Sequence, residues 1–249
     1  MADLDMLAVL TKGVDAWNEW RQTHLRGLGL RPDFSGVDLS GINLRNADLR
    51  RAIFVGTNLY QANLTEADLD HANFLEANLV EASLYQANLS HTNLEKAALD
   101  LADCRLVNFS QATLVKATLK RTQLSQANFT RANLSRLDLR GVDLRSADLS
   151  EVNAQRTKFA LADLRKVTCR AANLKRADLR GADLCQSTFI STNFSGARLD
   201  HAYLSRANLR GCNLADSTIT HADVYETNLT RTNLTGVDFR GSNLQEAIR

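Results

Sequence analysis

The chain has little of what usually punctuates a folded protein. One proline, Pro32, occurs in 249 residues, and only 6% of positions are aromatic. With proline confined to one place, no interior ladder of backbone hydrogen bonds is interrupted by a missing N–H. The four cysteines show no CxxC spacing, which excludes a paired redox site or a thiolate zinc site of the usual kind. No apolar run approaches the length of a membrane span, and the first residues (Met1, Ala2, Asp3, Leu4, Asp5) are acidic rather than basic. A signal or transit peptide is therefore not expected, and the chain is read as cytoplasmic. There is no glycine-rich phosphate loop, no nucleophile–base constellation and no metal-ligand motif, so neither an enzyme nor a cofactor is expected.

What is present is a period of five. From Phe34 to Leu244 every fifth residue is apolar, in 43 repeats without a slip of phase, and 29 of these are Leu and 9 are Phe. The other five are Cys104, Ala154, Cys169, Ile219 and Val224. With the apolar position as i, the residue at i−2 is Ala in 23 of 43 repeats, and that at i−1 is Asn or Asp in 31. A step of five on a helix scatters these residues around every face, so this is no amphipathic helix. On an extended segment i−2 and i share one face, but the three-residue step to the next i−2 breaks strand parity. The chain must therefore turn a corner at i+1 and i+2 in each repeat. Nine of the 12 glycines lie in the repeats and all nine stand at i+2, as Gly36, Gly141 and Gly181 do. Such placement suits a corner that needs permissive backbone angles. The outcome is a polygonal coil around a narrow apolar axis, in which Cys104, Cys169 and Cys212 point inward and Cys185 outward.

Runs such as Ala62-Asn63-Leu64, Ala132-Asn133-Leu134, Ala147-Asp148-Leu149 and Ala177-Asp178-Leu179 resemble the A(D/N)LXX consensus of the pentapeptide-repeat family, over roughly residues 32–246. The resemblance implies an all-β solenoid, a right-handed quadrilateral β-helix with four repeats per coil, hence about eleven coils and a rod ~50 Å long. Phe34, Phe54 and Phe74 recur at that 20-residue step, as rings stacked on one wall would. The domain reading is an α-helical N-terminal cap over 1–31 and a pentapeptide-repeat β-helix over 32–249.

In the N-terminal segment Leu7, Leu10, Val14, Trp17 and Trp20 follow helical spacing, with Gly13 bending or breaking the helix. This stretch looks like the segment that precedes the repeats in cyanobacterial members of the family, and a solenoid needs such a cover for its first open coil. Repeats continue to Leu244 with no helix beyond, which suggests a homodimer through an uncapped C-terminal coil.

The net charge is only +2, but it is uneven: residues 60–103 hold eight acids and one base, residues 116–180 hold 15 bases and six acids. At 20 residues per coil, Lys96, Lys116, Arg136, Arg156 and Arg176 form one basic column, and Lys120, Arg140 and Arg180 a second beside it. This ridge is the candidate partner-binding surface, for a protein rather than nucleic acid, since no aromatic accompanies it to stack bases. His71 with His91 and His201 with His221 stack by the same arithmetic, but neither pair shows an obvious third ligand, so no metal is expected. Ala154 leaves a gap at an inward position, and Leu137, the only Leu at i−2, is placed to fill it. The expected function is a non-enzymatic interaction or scaffold protein, regulatory in character. The family also contains DNA mimics that protect DNA gyrase from quinolones; the basic middle and the absence of interrupting loops disfavour that alternative.

Overall fold

The computed structural model describes residues 4–24 and 31–248. Two helices open it, α1 (Leu4–Leu10) and α2 (Val14–His24). Gly13 separates them at φ +113°, its N–H donating to Leu10 O at 3.1 Å and its carbonyl accepting from Trp17 N–H at 3.0 Å. The chain divides into two compact units, Met1–Thr122 and Gln123–Arg249.

Each unit is wound by the same rule. The residue at i−1 pairs in parallel with the one 20 positions on, as Asn58 with Asn78 in the first unit and Asn153 with Asn173 in the second. One turn of backbone thus takes four repeats. In a typical repeat Leu59 N–H donates to Asn78 O at 2.7 Å, Asn58 N–H to Val37 O at 2.9 Å and Gln61 N–H to Val80 O at 3.0 Å. Ala62 N–H then closes the corner onto Leu59 O at 3.0 Å. The sides differ from the expected β-helix strands: among the described residues every bridge is isolated and no continuous strand forms. A corner at every fifth residue leaves each side too short for more than one paired residue before the direction changes.

The corner residue at i+2 adopts positive φ in every repeat from Gly36 to Gly241. All nine repeat glycines do so, but so do most other residue types there, including Arg136 at +62° and His91 at +57°. Left-handed backbone costs roughly 1 kcal/mol or more in a residue with a Cβ. The closing turn and the ladder bonds on either side of each corner offset that cost, so glycine is preferred but not required.

The Asn or Asp at i−1 has a local task that composition did not reveal. Its side-chain oxygen accepts the N–H two residues on, as Asn63 Oδ1 does from Thr65 at 3.1 Å, forming an Asx turn that holds the corner. Many Asn side chains also donate along the ladder, Asn78 Nδ2 to Asn58 Oδ1 at 2.8 Å for example. Inward, i and i−2 side chains form the buried core; at most hydroxylated i−2 positions the oxygen reaches a carbonyl 23 residues back, as Thr57 Oγ1 does to Phe34 O at 2.7 Å, whereas Thr92 Oγ1 turns to Leu89 O at 2.7 Å. Phe34, Phe54 and Phe74 stack with centroids 5.4 and 4.9 Å apart.

At the far end Leu234, Phe239 and Leu244 are only half-buried. The chain leaves the repeat there in a short 3-10 turn, Leu244–Glu246. Ser242 Oγ and Asn243 Oδ1 take the N–H groups of Ala222 and Val224, at 2.9 and 2.7 Å.

Candidate functional site

Side chains at i−1, i+1 and i+2 face outward, so any site must be built on corners. The recurring sequence Asp-Leu-Arg puts a carboxylate at i−1 and a guanidinium at i+1, on the same side of one corner. Arg140 grips Asp138 through two bonds of 2.7 and 2.6 Å, and Arg180 grips Asp178 through two of 2.7 Å. Asp143–Arg145, Asp163–Arg165 and Asp238–Arg240 repeat the arrangement. These guanidinium bonds hold the carboxyls of Asp138 and Asp178 below the usual range.

This pairing bears on the expected basic ridge. Arg140 and Arg180 are neutralised by their own repeats. Lys96 is bound to Glu76 at 2.7 Å, and Lys116 lies 3.9 Å from Glu95. Lys120 places its backbone N–H, at 2.6 Å, on Asp100 Oδ1. Lys96, Lys116 and Lys120 belong to the first unit, while Arg136, Arg156 and Arg176 belong to the second.

Arg136, Arg156 and Arg176 make no ion pair among the described residues. They occupy the same i+2 corner of successive turns of the second unit, with rungs about 4.8 Å apart. Elsewhere in this unit two charged i+2 residues meet their opposite one turn on: Arg131 with Glu151 and Arg206 with Glu226, each at 2.8 Å. The arginine column has no such partner. Lys175 precedes Arg176 on the same corner, and neutral Asn133, Asn153 and Asn173 line the flank before it. One turn beyond, Gly196 leaves room: a Cβ there would sit 3.4 Å from Arg176 Cγ. On another corner a shallow groove of ≈ 360 Å³ is lined by Ser125, Gln126, Arg145, Ser146, Arg165 and Lys166. Its two arginines are spent on Asp143 and Asp163. The groove follows from side-chain lengths at neighbouring corners, which the repeat pattern does not specify.

The N-terminal residues come together on the first turn. Leu10 and Trp17 are buried, and Leu7, Val14 and Trp20 half-buried; Met6, unremarked in the sequence, is buried as well. Asn18 and Arg21, equally unremarked, bond to the backbone of the first turn at Asn46, Asp48 and Arg50. On the first unit His71 and His91 stack with centroids 4.4 Å apart, and Asp70 supplies the third donor that sequence spacing had not placed. His201 and His221 stack at 5.2 Å.

Comparison with known families places a pentapeptide repeat region at residues 31–104, and matches to a model of eight pentapeptide repeats at 102–141, 127–165, 168–206, 197–236 and 207–245. The chain belongs to the pentapeptide-repeat family. Comparison with curated proteins found no match. Among solved structures, this pentapeptide-repeat protein is similar to HetL, a pentapeptide repeat protein involved in heterocyst differentiation regulation from the cyanobacterium Nostoc sp. Identity to HetL is 28% over 100% of this chain and 94% of that one, with a TM-score of 0.46. A pentapeptide repeat protein of the Arabidopsis thaliana thylakoid lumen is 31% identical over 41% of this chain and 65% of its own, at a TM-score of 0.23. QnrB1, a plasmid-mediated fluoroquinolone resistance protein, is 16% identical over 86% and 95%, at 0.43. No helix among the described residues is long and apolar enough to cross a membrane.

Proposed function

We propose that this pentapeptide-repeat protein is a non-enzymatic docking protein that binds an acidic protein segment along Arg136, Arg156 and Arg176. One observation carries the reading: in a unit where about half the cations are held by a neighbouring carboxylate, three arginines stack on the same corner of successive turns with none. Charges so close repel each other only modestly in water, by at most ~1 kcal/mol per neighbouring pair, so the column persists in the free protein. A carboxylate-bearing partner removes that repulsion and gains charge-assisted bonds, and guanidinium forks suit carboxylates in pairs. Residues 1–31 serve as the cap and 32–249 as the repeat body that holds the corners rigid, which lowers the ordering cost of binding.

The test compares an Asp/Glu-rich peptide and duplex DNA as probes of wild type, of Arg136→Glu/Arg156→Glu/Arg176→Glu, and of Arg140→Glu/Arg145→Glu/Arg165→Glu. Peptide binding abolished by the first variant and retained by the second supports the column as the site. Equal loss in both reduces it to diffuse charge, and tighter DNA binding replaces the protein partner with a phosphate backbone.

For the last turn we propose a second copy of the chain as partner, because Leu234, Phe239 and Leu244 are half-buried where their counterparts one turn earlier, Leu214, Ile219 and Val224, are buried. A monomer by light scattering at tens of micromolar would sink that proposal.

A further inference from the structure

We propose that Asp70, His71 and His91 form a binding site for a borderline divalent transition metal of the Zn²⁺ class. It is independent of the arginine column and lies in the first unit.

Three features converge. First, one donor atom from each residue lies within 4.8 Å of the other two. His91 Nδ1 is 2.9 Å from Asp70 Oδ1, and His71 Nε2 is 3.7 Å from Asp70 Oδ2. Zinc at its usual ~2.0–2.2 Å bonds draws tetrahedral donors to about 3.3 Å from one another. Side chains that are about a third to a half exposed can close that gap by rotating.

Second, the frame is fixed before any ion arrives. His71 and His91 sit on the same corner of successive turns at φ +59° and +57°, and their N–H groups donate to Ser90 O and Ser110 O, both at 2.9 Å. The rings stack within 9° of parallel. Ser90 Oγ donates to Asp70 Oδ1 at 2.7 Å and aims the carboxylate at the rings.

Third, the surroundings favour a cation. Residues 60–103 hold eight acids and one base. One turn earlier stand Arg50 and Arg51, but Arg50 is engaged by Asp48 at 2.7 Å and approaches Asp68 at 3.5 Å. Two imidazoles and a carboxylate select Zn²⁺, Ni²⁺ or Cu²⁺ over Ca²⁺ or Mg²⁺, which prefer all-oxygen shells. Three protein ligands leave the fourth position of a tetrahedral ion to water or to an outside ligand.

The protein carries its own control. His201 and His221 also stack, at 5.2 Å and 14°, but form no three-donor group among the described residues. Isothermal titration of untagged protein with Zn²⁺ at pH 7.5 should show one site per chain. Asp70→Asn and His91→Gln should each weaken it about tenfold or more, while His201→Ala/His221→Ala leaves it unchanged. Near-ultraviolet and far-ultraviolet circular dichroism of the variants checks that each has folded. Binding that is unaltered by Asp70→Asn and His91→Gln, or absent from folded wild type, overturns the proposal. So does binding lost equally with the His201→Ala/His221→Ala variant.

Discussion

The indole nitrogen of Trp17 donates to the carbonyl of Asp48 at 2.8 Å, and the neighbouring Asn18 Oδ1 accepts the N–H of that same Asp48 at 2.8 Å. One turn later the equivalent groups of Asp68 are taken by backbone: its N–H goes to Ala47 O at 3.0 Å and its carbonyl accepts from Leu49 N–H at 2.8 Å. Two side chains of α2 thus do for the first turn what an additional turn of main chain would do. Arg21 extends the substitution to Arg50 O at 3.1 Å. Trp17 meanwhile continues the aromatic wall, edge-on to Phe34 at 5.6 Å.

Asn18→Ala should therefore cost about 1–3 kcal/mol, the range for leaving a buried amide without a partner. Both tryptophans lie in α2, so fluorescence reports its docking while far-ultraviolet circular dichroism reports the repeats. In urea the Asn18→Ala fluorescence transition should precede the circular dichroism transition. Coincident transitions at the wild-type midpoint would show that α2 contributes nothing to the edge.

Acid should loosen the same contact. The Asp48 carboxyl is pushed down to about 2: burial alone raises it, and the guanidiniums of Arg50 and Arg21 more than compensate. Because the folded value lies below the ordinary 3.8, the stabilisation is present in full above that pH and is lost as pH falls through about 2. With the side chain 26% exposed, solvent screening leaves on the order of 1 kcal/mol at stake. Melting temperature followed from pH 4 to pH 2 should fall less steeply in Asp48→Asn than in wild type. Parallel slopes would remove Asp48 from the acid response.

Thiol chemistry gives a test of the inward register. Burial raises the thiols of Cys104 and Cys169 well above their ordinary value and pushes Cys212 up to about 12. Cys212 Sγ also donates to Phe189 O at 2.6 Å, taking the place that threonine or serine holds in other repeats. Cys185 is half-buried, and burial together with the Asp183 carboxylate pushes it up to about 12. A disulfide-exchange reagent at neutral pH should label at most one thiol of the native protein, slowly, and all four in denaturant. Rapid native labelling of two or more would mean that the inward cysteines are misplaced.

These contacts show which features were legible in the sequence. The phase of the core and the corner at i+2 follow from the period of five, and the stack of Phe34, Phe54 and Phe74 from the 20-residue turn that the family resemblance adds. Summing charges by column leaves out that Arg140 and Arg180 each bind the carboxylate two residues earlier in their own repeats. That signal was present in the recurring Asp-Leu-Arg triplets. The tie between Lys96 and Glu76 becomes visible only once a turn is known to take 20 residues. Asn18 and Arg21 could not be read at all, since the docking of α2 belongs to no repeat. Asp70 escaped for a related reason: it stands at i+1, one place away from the histidine column it joins.

The core irregularity at Ala154 yields the sharpest packing prediction. Ala154 follows Leu134 and precedes Leu174 on one inward wall, and replacing a large residue there should leave a void. Yet Ala154 is fully buried and so is Leu137, the only leucine at an i−2 position, one turn earlier on the adjoining side. If Leu137 occupies the space that Ala154 vacates, Leu137→Ala should cost about 2–5 kcal/mol, the range for truncating a buried leucine. Ala117→Gly, a smaller deletion at an ordinary i−2 position, should cost less, roughly 1–2 kcal/mol for a lost methyl group and a looser backbone. The reciprocal swap is more stringent. Ala154→Leu alone should destabilise by overpacking against Leu137, typically by about 1–3 kcal/mol. In Leu137→Ala/Ala154→Leu the volume returns to the wall where other repeats keep it, so the double variant should be more stable than Leu137→Ala alone. Additive losses in that cycle would show that the two side chains do not share a cavity, and that the repeat tolerates Ala154 by some other local adjustment.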